Sequence, residues 1–184
     1  MFFNDIKCTK STCEKYTLKF NDGWDYAIFT IDDTGMFNCQ STFGNYGYYW
    51  SSFGENFKEF LCELREDYLL AKLCQRTYFN TQDYIEKCSE TIINMRRKSE
   101  LNKEQAREAW NFFNQELEDC GDSIDLVSDK INRSEILDDI TGSDVWYSDF
   151  APELDHSPSD RDFVSKIYPM FVKILKEELK SEVI

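Results

Sequence analysis

The first fifty residues alternate short runs of β-branched and aromatic residues with turn residues, a pattern typical of β-strands. Strands are predicted at Lys15–Phe20, Asp25–Asp32 and Met36–Thr42, with a short fourth run ending at Tyr48-Tyr49-Trp50. Asn21-Asp22-Gly23 and Asp33-Thr34-Gly35 are the turns expected between the first three, and the Asp-Gly pair of the first is typical of a tight hairpin. The pattern therefore predicts an antiparallel sheet of three or four strands.

Apolar residues then change to a spacing of three and four, which predicts amphipathic helices. One helix is expected over Glu55–Leu73, where it would cover the sheet. A second begins at Thr81 as its N-cap and ends at Arg96-Arg97-Lys98, whose charge suits the negative end of a helix. A third begins at Asn102 and ends near Gly121, a residue type common at helix C-termini.

The last predicted helix carries Phe163, Ile167 and Phe171 at helical spacing, with Pro169 inside it. Proline removes one backbone donor and crowds the preceding turn, so we expect a kink or a restart at Pro169. These patterns together predict an α+β fold, in which an N-terminal antiparallel sheet packs against an amphipathic helix and a mainly helical half follows. Residues 1–184 are predicted to form a single domain: sheet in 1–54, helices in 55–120, acidic short helices and turns in 121–157, and a C-terminal helix in 158–184.

The segment Glu116–Asp155, called the acidic tract below, carries thirteen carboxylates and only two basic side chains, Lys130 and Arg133. Its charge of −11 is most of the chain's net charge of −14. Like charges at neighbouring helical positions lower stability by about 0.2–0.5 kcal/mol per pair, and a bound basic partner would offset this loss. Apolar residues such as Leu137 and Phe150 recur within the tract, so we expect ordered short helices and turns and not a disordered tail.

The carboxylates predicted to bind a partner are those that such turns would display outward: Asp122, Asp125, Asp129, Glu135, Asp138, Asp139, Asp144 and Asp149. The first three are spaced i, i+3 and i+7, so they would share one helical face, largely opposite Ile124, Val127 and Ile131. Carboxylates about 5–6 Å apart can occupy a row of Lys and Arg side chains that otherwise hold phosphates. The alternative is a solvated face that keeps the protein soluble.

The sequence lacks the motifs of common catalytic and cofactor sites. His156 is the only histidine, and there is no glycine-rich phosphate loop and no EF-hand loop. The seven cysteines are an odd number without a Cys-x-x-Cys pair, which indicates reduced thiols and neither a disulfide framework nor a zinc site. No metal, no cofactor and no enzymatic activity are predicted. Paired carboxylates could still hold Mg²⁺, so a metal-dependent nucleic-acid-processing enzyme is kept as an alternative.

The charge balance also bears on partners and location. A net charge of −14 argues against direct binding of nucleic acid, since phosphates require Lys and Arg, and a basic protein surface is the expected partner. The N-terminus lacks a basic region followed by an apolar run, and no stretch approaches about eighteen apolar residues, so a cytoplasmic protein without membrane contact is predicted.

The aromatic cluster at the end of the predicted sheet has two interpretations. It comprises Phe43, Tyr46, Tyr48, Tyr49, Trp50 and Phe53. Such clusters are usually sheet core. If one face of the sheet were exposed, the cluster would serve as a protein interface, which leaves a regulatory interaction protein as a further alternative.

Segments spread over nearly the whole chain resemble small proteins encoded in bacteriophages and prophages. They are Gly23-Trp24-Asp25-Tyr26-Ala27 through Asp32, Ser41–Trp50, Phe57–Leu61, Asp67–Leu73, Ala106–Trp110, Phe163–Phe171 and Glu178-Leu179. The most specific is the Gly-Asn-Tyr stretch ahead of the first predicted helix. No catalytic residues are implied by this resemblance.

A small, acidic phage protein without catalytic motifs resembles the anti-CRISPR proteins, which inhibit host defence. Several of these are similar to nucleic-acid mimics that occupy the basic guide-RNA or DNA channel of Cas9-type effectors. The resemblance therefore implies an inhibitor that acts in the bacterial cytoplasm. Its acidic surface would bind a Cas9-type effector or its guide-RNA complex and block guide RNA or target DNA binding.

Overall fold

The computed structural model describes residues 8–20, 25–141 and 148–181, and all structural statements below concern these ranges. The chain divides into two compact units: unit 1 comprises Met1–Gln75 and Pro158–Ile184, and unit 2 comprises Arg76–Ser157. Unit 1 is therefore built from both ends of the chain. That residues 1–184 behave as a single domain stays a prediction, because the compactness of each unit does not measure whether the two unfold together.

Unit 1 contains the predicted antiparallel sheet, with four strands in the order β1-β2-β3-β4. The strands are β1 (Glu14–Lys19), β2 (Tyr26–Ile31), β3 (Met36–Ser41) and β4 (Gly44–Tyr49). Phe29 lies opposite Tyr16 on one side and Cys39 on the other. In β2 and β3 every second side chain is buried, so the sheet buries one face, as the alternating sequence pattern predicts.

The buried face of the sheet packs against the C-terminal segment of the chain. Phe29 stacks on Phe171 with ring centroids 4.0 Å apart, and Tyr46 stacks on Phe163 at 3.8 Å. All four side chains are at most 5% exposed. Helix α1 (Phe57–Glu63) joins the same core through Phe57 and Leu61, as expected for a helix that covers the sheet.

The predicted helix over Glu55–Leu73 forms two helices, so its prediction as one helix is wrong. Helix α1 ends at Glu63 and helix α2 spans Glu66–Leu73. Leu64 and Arg65 between them have extended backbone, with ψ of 134° and 154°. The apolar spacing continues across this break because Leu61 and Leu69 both reach the core, and the sequence pattern therefore does not reveal it.

The C-terminal segment changes its helical type close to Pro169. Helix α7 (Pro158–Asp162) is followed by a π-helical turn at Phe163–Ile167 and by helix α8 (Tyr168–Ser181). The N–H of Tyr168 donates to the carbonyl of Phe163, five residues earlier. Pro169 is the second residue of α8, a place where proline's missing N–H is tolerated at a restart of the helix.

Unit 2 is helical, with its core formed by α3 (Thr81–Arg97), α4 (Lys103–Asn111) and the short helices that follow. Asn80, and not the predicted Thr81, is the N-cap of α3, since its side chain accepts from the N–H of Asp83. Asn102 caps α4 as predicted and forms a capping box with Gln105.

The remaining elements of unit 2 carry the acidic tract. A π-helical turn at Phe112–Glu116 and a 3-10 turn at Glu118–Cys120 lead to α5 (Ile124–Asn132) and α6 (Glu135–Thr141). Gly121 ends the 3-10 turn with a φ of +53°, as expected for glycine at such a terminus. Among the described residues, no helix of either unit has the length and apolar character needed to cross a membrane.

Candidate functional site

The described part of the acidic tract lies on helices and turns, and its carboxylates are exposed. Twelve of its thirteen carboxylates lie in described residues, and all twelve are exposed: Glu116, Glu118, Asp119, Asp122, Asp125, Asp129, Glu135, Asp138, Asp139, Asp149, Glu153 and Asp155. Asp144, the remaining predicted binding residue, lies outside the described residues. The described part of the tract therefore displays a predominantly anionic surface on regular secondary structure and turns.

Helix α5 shows how the sequence produces this display. Ser123 caps the helix by accepting from the N–H of Leu126, and Val127 and Ile131 are fully buried in the core of unit 2. Burial of these two residues, one turn apart, turns Asp125 and Asp129 outward. Asp125 also lies in the first helical turn, where a negative charge is favourable.

Helix α6 repeats the arrangement with a single buried anchor. Leu137 is fully buried, and its N–H donates to the Ser134 hydroxyl at 3.3 Å. Glu135, Asp138 and Asp139 are exposed around it. Like-charged neighbours do not stabilise a short helix. Burial of Leu137 is therefore what holds α6 and its carboxylates in place.

Asp149 is held close to the same core. Phe150 is 1% exposed and stacks on Phe113 with ring centroids 5.4 Å apart. The Tyr84 hydroxyl donates to the Phe150 carbonyl at 2.6 Å. These contacts fix the backbone next to Asp149, whose own carboxylate is exposed.

Asp122 departs from the predicted shared face. It precedes α5, because Ser123 is the N-cap, and so it is not on a helical face with Asp125 and Asp129. Its Oδ1 accepts from the N–H of Thr81 at 2.9 Å, in the first turn of α3. The prediction of one i, i+3, i+7 face is wrong for this residue, because its side chain satisfies a free amide of a helix forty-one positions away.

We expect Asp122→Ala to lower the stability of unit 2 by about 0.5–2 kcal/mol, the usual range for losing a side-chain acceptor at a helix N-terminus, because the Thr81 amide loses its partner while the Asn80 cap remains. Asp119→Ala, an exposed carboxylate of the same tract, is the matched control and should change stability by less than about 0.5 kcal/mol. Urea unfolding of both variants checks this. Equal stability of the two variants would contradict the capping role.

Both cations inside the tract are already engaged. Lys130 Nζ donates to the carbonyl oxygen of Glu116, and Arg133 pairs with Asp129 at 2.8 Å. Arg133 and Asp129 are both largely exposed, so their ion pair is worth little and exchanges readily with another cation. The other predicted binding carboxylates of α5 and α6 form no ion pair with a described residue.

The aromatic cluster in and around β4 packs mostly into the core of unit 1. Tyr46 and Trp50 are at most 5% exposed, and Phe43, Tyr48 and Phe53 pack against the same core. Tyr49 alone among the six is largely exposed, at 57%. The cluster is therefore sheet core, and the open face of the sheet instead carries polar residues such as Asn38 and Gln40.

The residues considered for catalysis are dispersed or buried. His156 is 8% exposed, and the seven cysteines are all free thiols, of which Cys8 and Cys13 are exposed. Within residues 8–20, 25–141 and 148–181, no three or more His, Cys, Asp or Glu side chains come together as a metal-binding group.

One polar cluster of unit 1 was not predicted from the sequence. The Tyr16 hydroxyl lies 2.5 Å from a carboxylate oxygen of Glu14 and 2.7 Å from one of Glu178, and Lys58 pairs with both carboxylates. Burial raises the pKa of Tyr16, and its two carboxylate neighbours raise it further. The hydroxyl thus stays protonated and joins β1 to α8. Lys58 lies on α1, so the cluster joins β1, α1 and α8. These elements come together only in the fold, so no local sequence signal marks this cluster.

Comparison with known proteins gives the family. Residues 6–177 match the model of Phage_phiTE_072, described as a phage family. The match covers most of the chain, so this protein belongs to that phage family, as its resemblance to phage proteins implies. No curated protein matches the chain at a significant level, and no solved structure does.

Proposed function

We propose that this phage protein inhibits host CRISPR-Cas defence by binding a basic nucleic-acid channel of a Cas9-type effector, where its acidic tract takes the place of nucleic acid. It acts as a stoichiometric binder in the bacterial cytoplasm and not as an enzyme. Binding blocks entry of guide RNA or target DNA. Such channels hold a nucleic-acid duplex through its charged backbone and not through its sequence, so an ordered anionic surface can compete for them.

The observation that supports this proposal is the exposure of all twelve described carboxylates of the tract on structured elements. Helices α5 and α6 alone display Asp125, Asp129, Glu135, Asp138 and Asp139. Their anchors, Val127, Ile131 and Leu137, are fully buried, so the backbone that carries the carboxylates does not have to fold when a partner binds. A preformed surface binds with a smaller loss of conformational entropy than a disordered acidic tail.

Electrostatics also predicts how the surface would act. A concentration of one sign of charge accelerates encounter with an oppositely charged channel by about 10–10³, and salt weakens this effect. Phosphate-binding Lys and Arg in the channel would exchange their counterions for carboxylates of the tract. Binding should therefore be fast at low salt and should decline steeply as salt is added.

The test is to replace Asp125, Asp129, Asp138 and Asp139 together with Asn. We expect the association rate with a guide-free Cas9-type effector to fall by about tenfold or more, with a smaller salt dependence, because charge is lost and side-chain shape is kept. Inhibition of DNA cleavage should fall in parallel. Surface-immobilised effector with the variant in solution measures both rate constants.

A matched control removes four carboxylates from another surface of the same unit: Glu86, Glu90, Glu104 and Glu108, each replaced by Gln. All four are exposed and lie on α3 and α4, outside the tract. This control should retain most of the binding rate. If both variants lose binding equally, net charge and not the tract is responsible. If neither does, the tract is a solvated face.

The enzymatic alternative makes a different prediction. A metal-dependent enzyme would act at amounts far below the effector, would leave degraded guide RNA, and would stop in EDTA. We expect inhibition to require about one protein per effector and to be unchanged by EDTA, with intact guide RNA on a denaturing gel. Catalytic turnover that EDTA abolishes would overturn the proposal of a binder.

A further inference from the structure

Unit 1 carries a groove that is distinct in character from the acidic tract. It lies between the α1–α2 corner and the face of α8, and it encloses about 500 Å³. The side chains that form its apolar walls are Leu64, Leu69, Val164 and Val172. Leu69 and Val164 are also part of the core of this unit, so core packing forms part of the groove wall.

Two contacts at the groove join α8 to α1. The buried Tyr168 hydroxyl donates to the Leu61 carbonyl at 2.7 Å. The Cys62 sulfur lies 3.9 Å from the Val172 carbonyl oxygen. These contacts use the polar atoms of Tyr168 and Cys62. The charged side chains that remain in the lining are Glu66, Glu177 and the three lysines described next.

Three lysines border the groove along one side of α8. Lys173, Lys176 and Lys180 are spaced i, i+3 and i+7, so they form a row on one helical face that spans about 10 Å. All three are exposed, and none forms an ion pair with any residue in the ranges the structure describes. Lys166 of the preceding turn, by contrast, pairs with Asp162 at 2.8 Å. Most lysines and arginines in the described ranges likewise form no ion pair, so what distinguishes these three is their alignment beside an apolar groove. Glu177 also lines the groove, four positions after Lys173 on the same helix.

We infer that this groove is a docking site for an acidic amphipathic helix of a partner protein. The apolar face of such a helix would enter between α2 and α8, and carboxylates repeating once per turn along its flank would pair with the lysine row. In helix-in-groove recognition, apolar residues at i, i+3 or i+4, and i+7 of the bound helix insert into the groove. The lysine row has a similar spacing, so it can pair with carboxylates along the flank of that helix. The inference concerns unit 1 and does not depend on the proposed role of the acidic tract.

The geometry favours this occupant over other anions. A fatty acid has one carboxylate and would pair with a single lysine of a row that spans two helical turns. A lipid surface requires a protruding apolar face, whereas these apolar side chains line a concavity. Single-stranded nucleic acid binds on exposed aromatic stacking surfaces, and Tyr168, the aromatic residue of this lining, is buried.

The test uses a fluorescein-labelled peptide helix of about twenty residues, with Leu at the anchor positions and Glu along one flank. Two control peptides are a Gln-for-Glu version and a scrambled version of the same composition. We expect the acidic amphipathic peptide alone to bind the full-length protein in fluorescence anisotropy. Lys173→Glu, Lys176→Glu and Lys180→Glu together should weaken its binding at least about tenfold.

The matched protein control is Lys10→Glu, Lys15→Glu and Lys19→Glu, which makes the same charge change at exposed positions elsewhere in unit 1. It should retain binding of the peptide within about twofold. Equal loss in both triple variants would overturn the inference, because the effect would then be one of net charge. All six positions are exposed, so neither variant is expected to unfold the protein.

A second measurement locates the peptide. Cys62 lines the groove, whereas Cys8 and Cys13 are exposed elsewhere in the chain. The bound peptide should slow alkylation of Cys62 at least about threefold and leave Cys8 and Cys13 unchanged, as read by mass spectrometry of each thiol. Absence of binding up to about 1 mM peptide would overturn the inference, as would preferential binding of palmitate or of anionic vesicles.

Discussion

Replacing Phe171 by alanine is expected to lower the free energy of unfolding by about 3–5 kcal/mol, the usual cost of removing a fully buried phenylalanine ring. The Phe171 ring lies parallel to that of Phe29, with centroids 4.0 Å apart, and it also meets Tyr16 edge-on at 5.3 Å. Its side chain is completely buried. The substitution would leave a cavity between the sheet and α8, which rigid neighbours on both sides cannot close.

Met170→Ala is the matched control for this prediction, because Met170 precedes Phe171 on the same helix but is 47% exposed. It should cost less than about 1 kcal/mol. Urea unfolding followed by circular dichroism measures both variants. If Phe171→Ala were no more destabilising than Met170→Ala, then α8 would not be the element that completes the core of unit 1.

Replacing Gly35 by alanine is the second large effect, and we expect a loss of about 2–5 kcal/mol. Gly35 has a φ of +94°, a conformation that L-residues adopt only with strain. A Cβ at this position would lie 2.0 Å from the backbone oxygen of Trp50 and 2.8 Å from the Phe53 ring. The Trp50 N–H donates to the Gly35 carbonyl at 2.9 Å, so the two backbones cannot separate without losing this bond.

Gly54→Ala separates the two causes of that loss, the backbone strain of a positive φ and the steric clash of the added Cβ. Gly54 also has a positive φ, of +84°, but a Cβ there meets no atom within 4 Å. It should therefore cost only the backbone strain, about 1–2 kcal/mol. Thermal or urea unfolding gives the free energy of unfolding of the two variants. The difference between them measures the cost of the clash between the new Cβ at position 35 and the Trp50 backbone. A Gly35→Ala variant as stable as Gly54→Ala would contradict that approach.

Local patterns predicted the elements of unit 1 well. Alternation in Tyr26–Ile31 and Met36–Ser41 indicates strands with one buried face, and the structure confirms both. Asp33-Thr34-Gly35 was predicted as a turn, and it is one, since Asp32 Oδ1 accepts from the amides of Thr34 and Met36. The break at Leu64-Arg65 left no such signal, because residues on either side continue the same apolar spacing.

The candidate site was predicted in part. The outward display of Asp125, Asp129, Asp138 and Asp139 follows from the apolar residues between them, since burial of Val127, Ile131 and Leu137 leaves the carboxylates the exposed positions. Asp122 could not be assigned in this way. Its capping of α3 depends on a segment far away in sequence, and only the packing of unit 2 brings the two together.

The sequence by itself determined where charge accumulates, where strands give way to helices, and which side of each segment is apolar, because these properties depend on residues a few positions apart. The tertiary structure alone decided which apolar faces meet. It placed Phe163 and Phe171 on the sheet, joined Tyr16 to Glu178, and opened a groove beside Lys173, Lys176 and Lys180. Such pairings are selected by shape and long-range packing, which the spacing of residues along the chain does not contain.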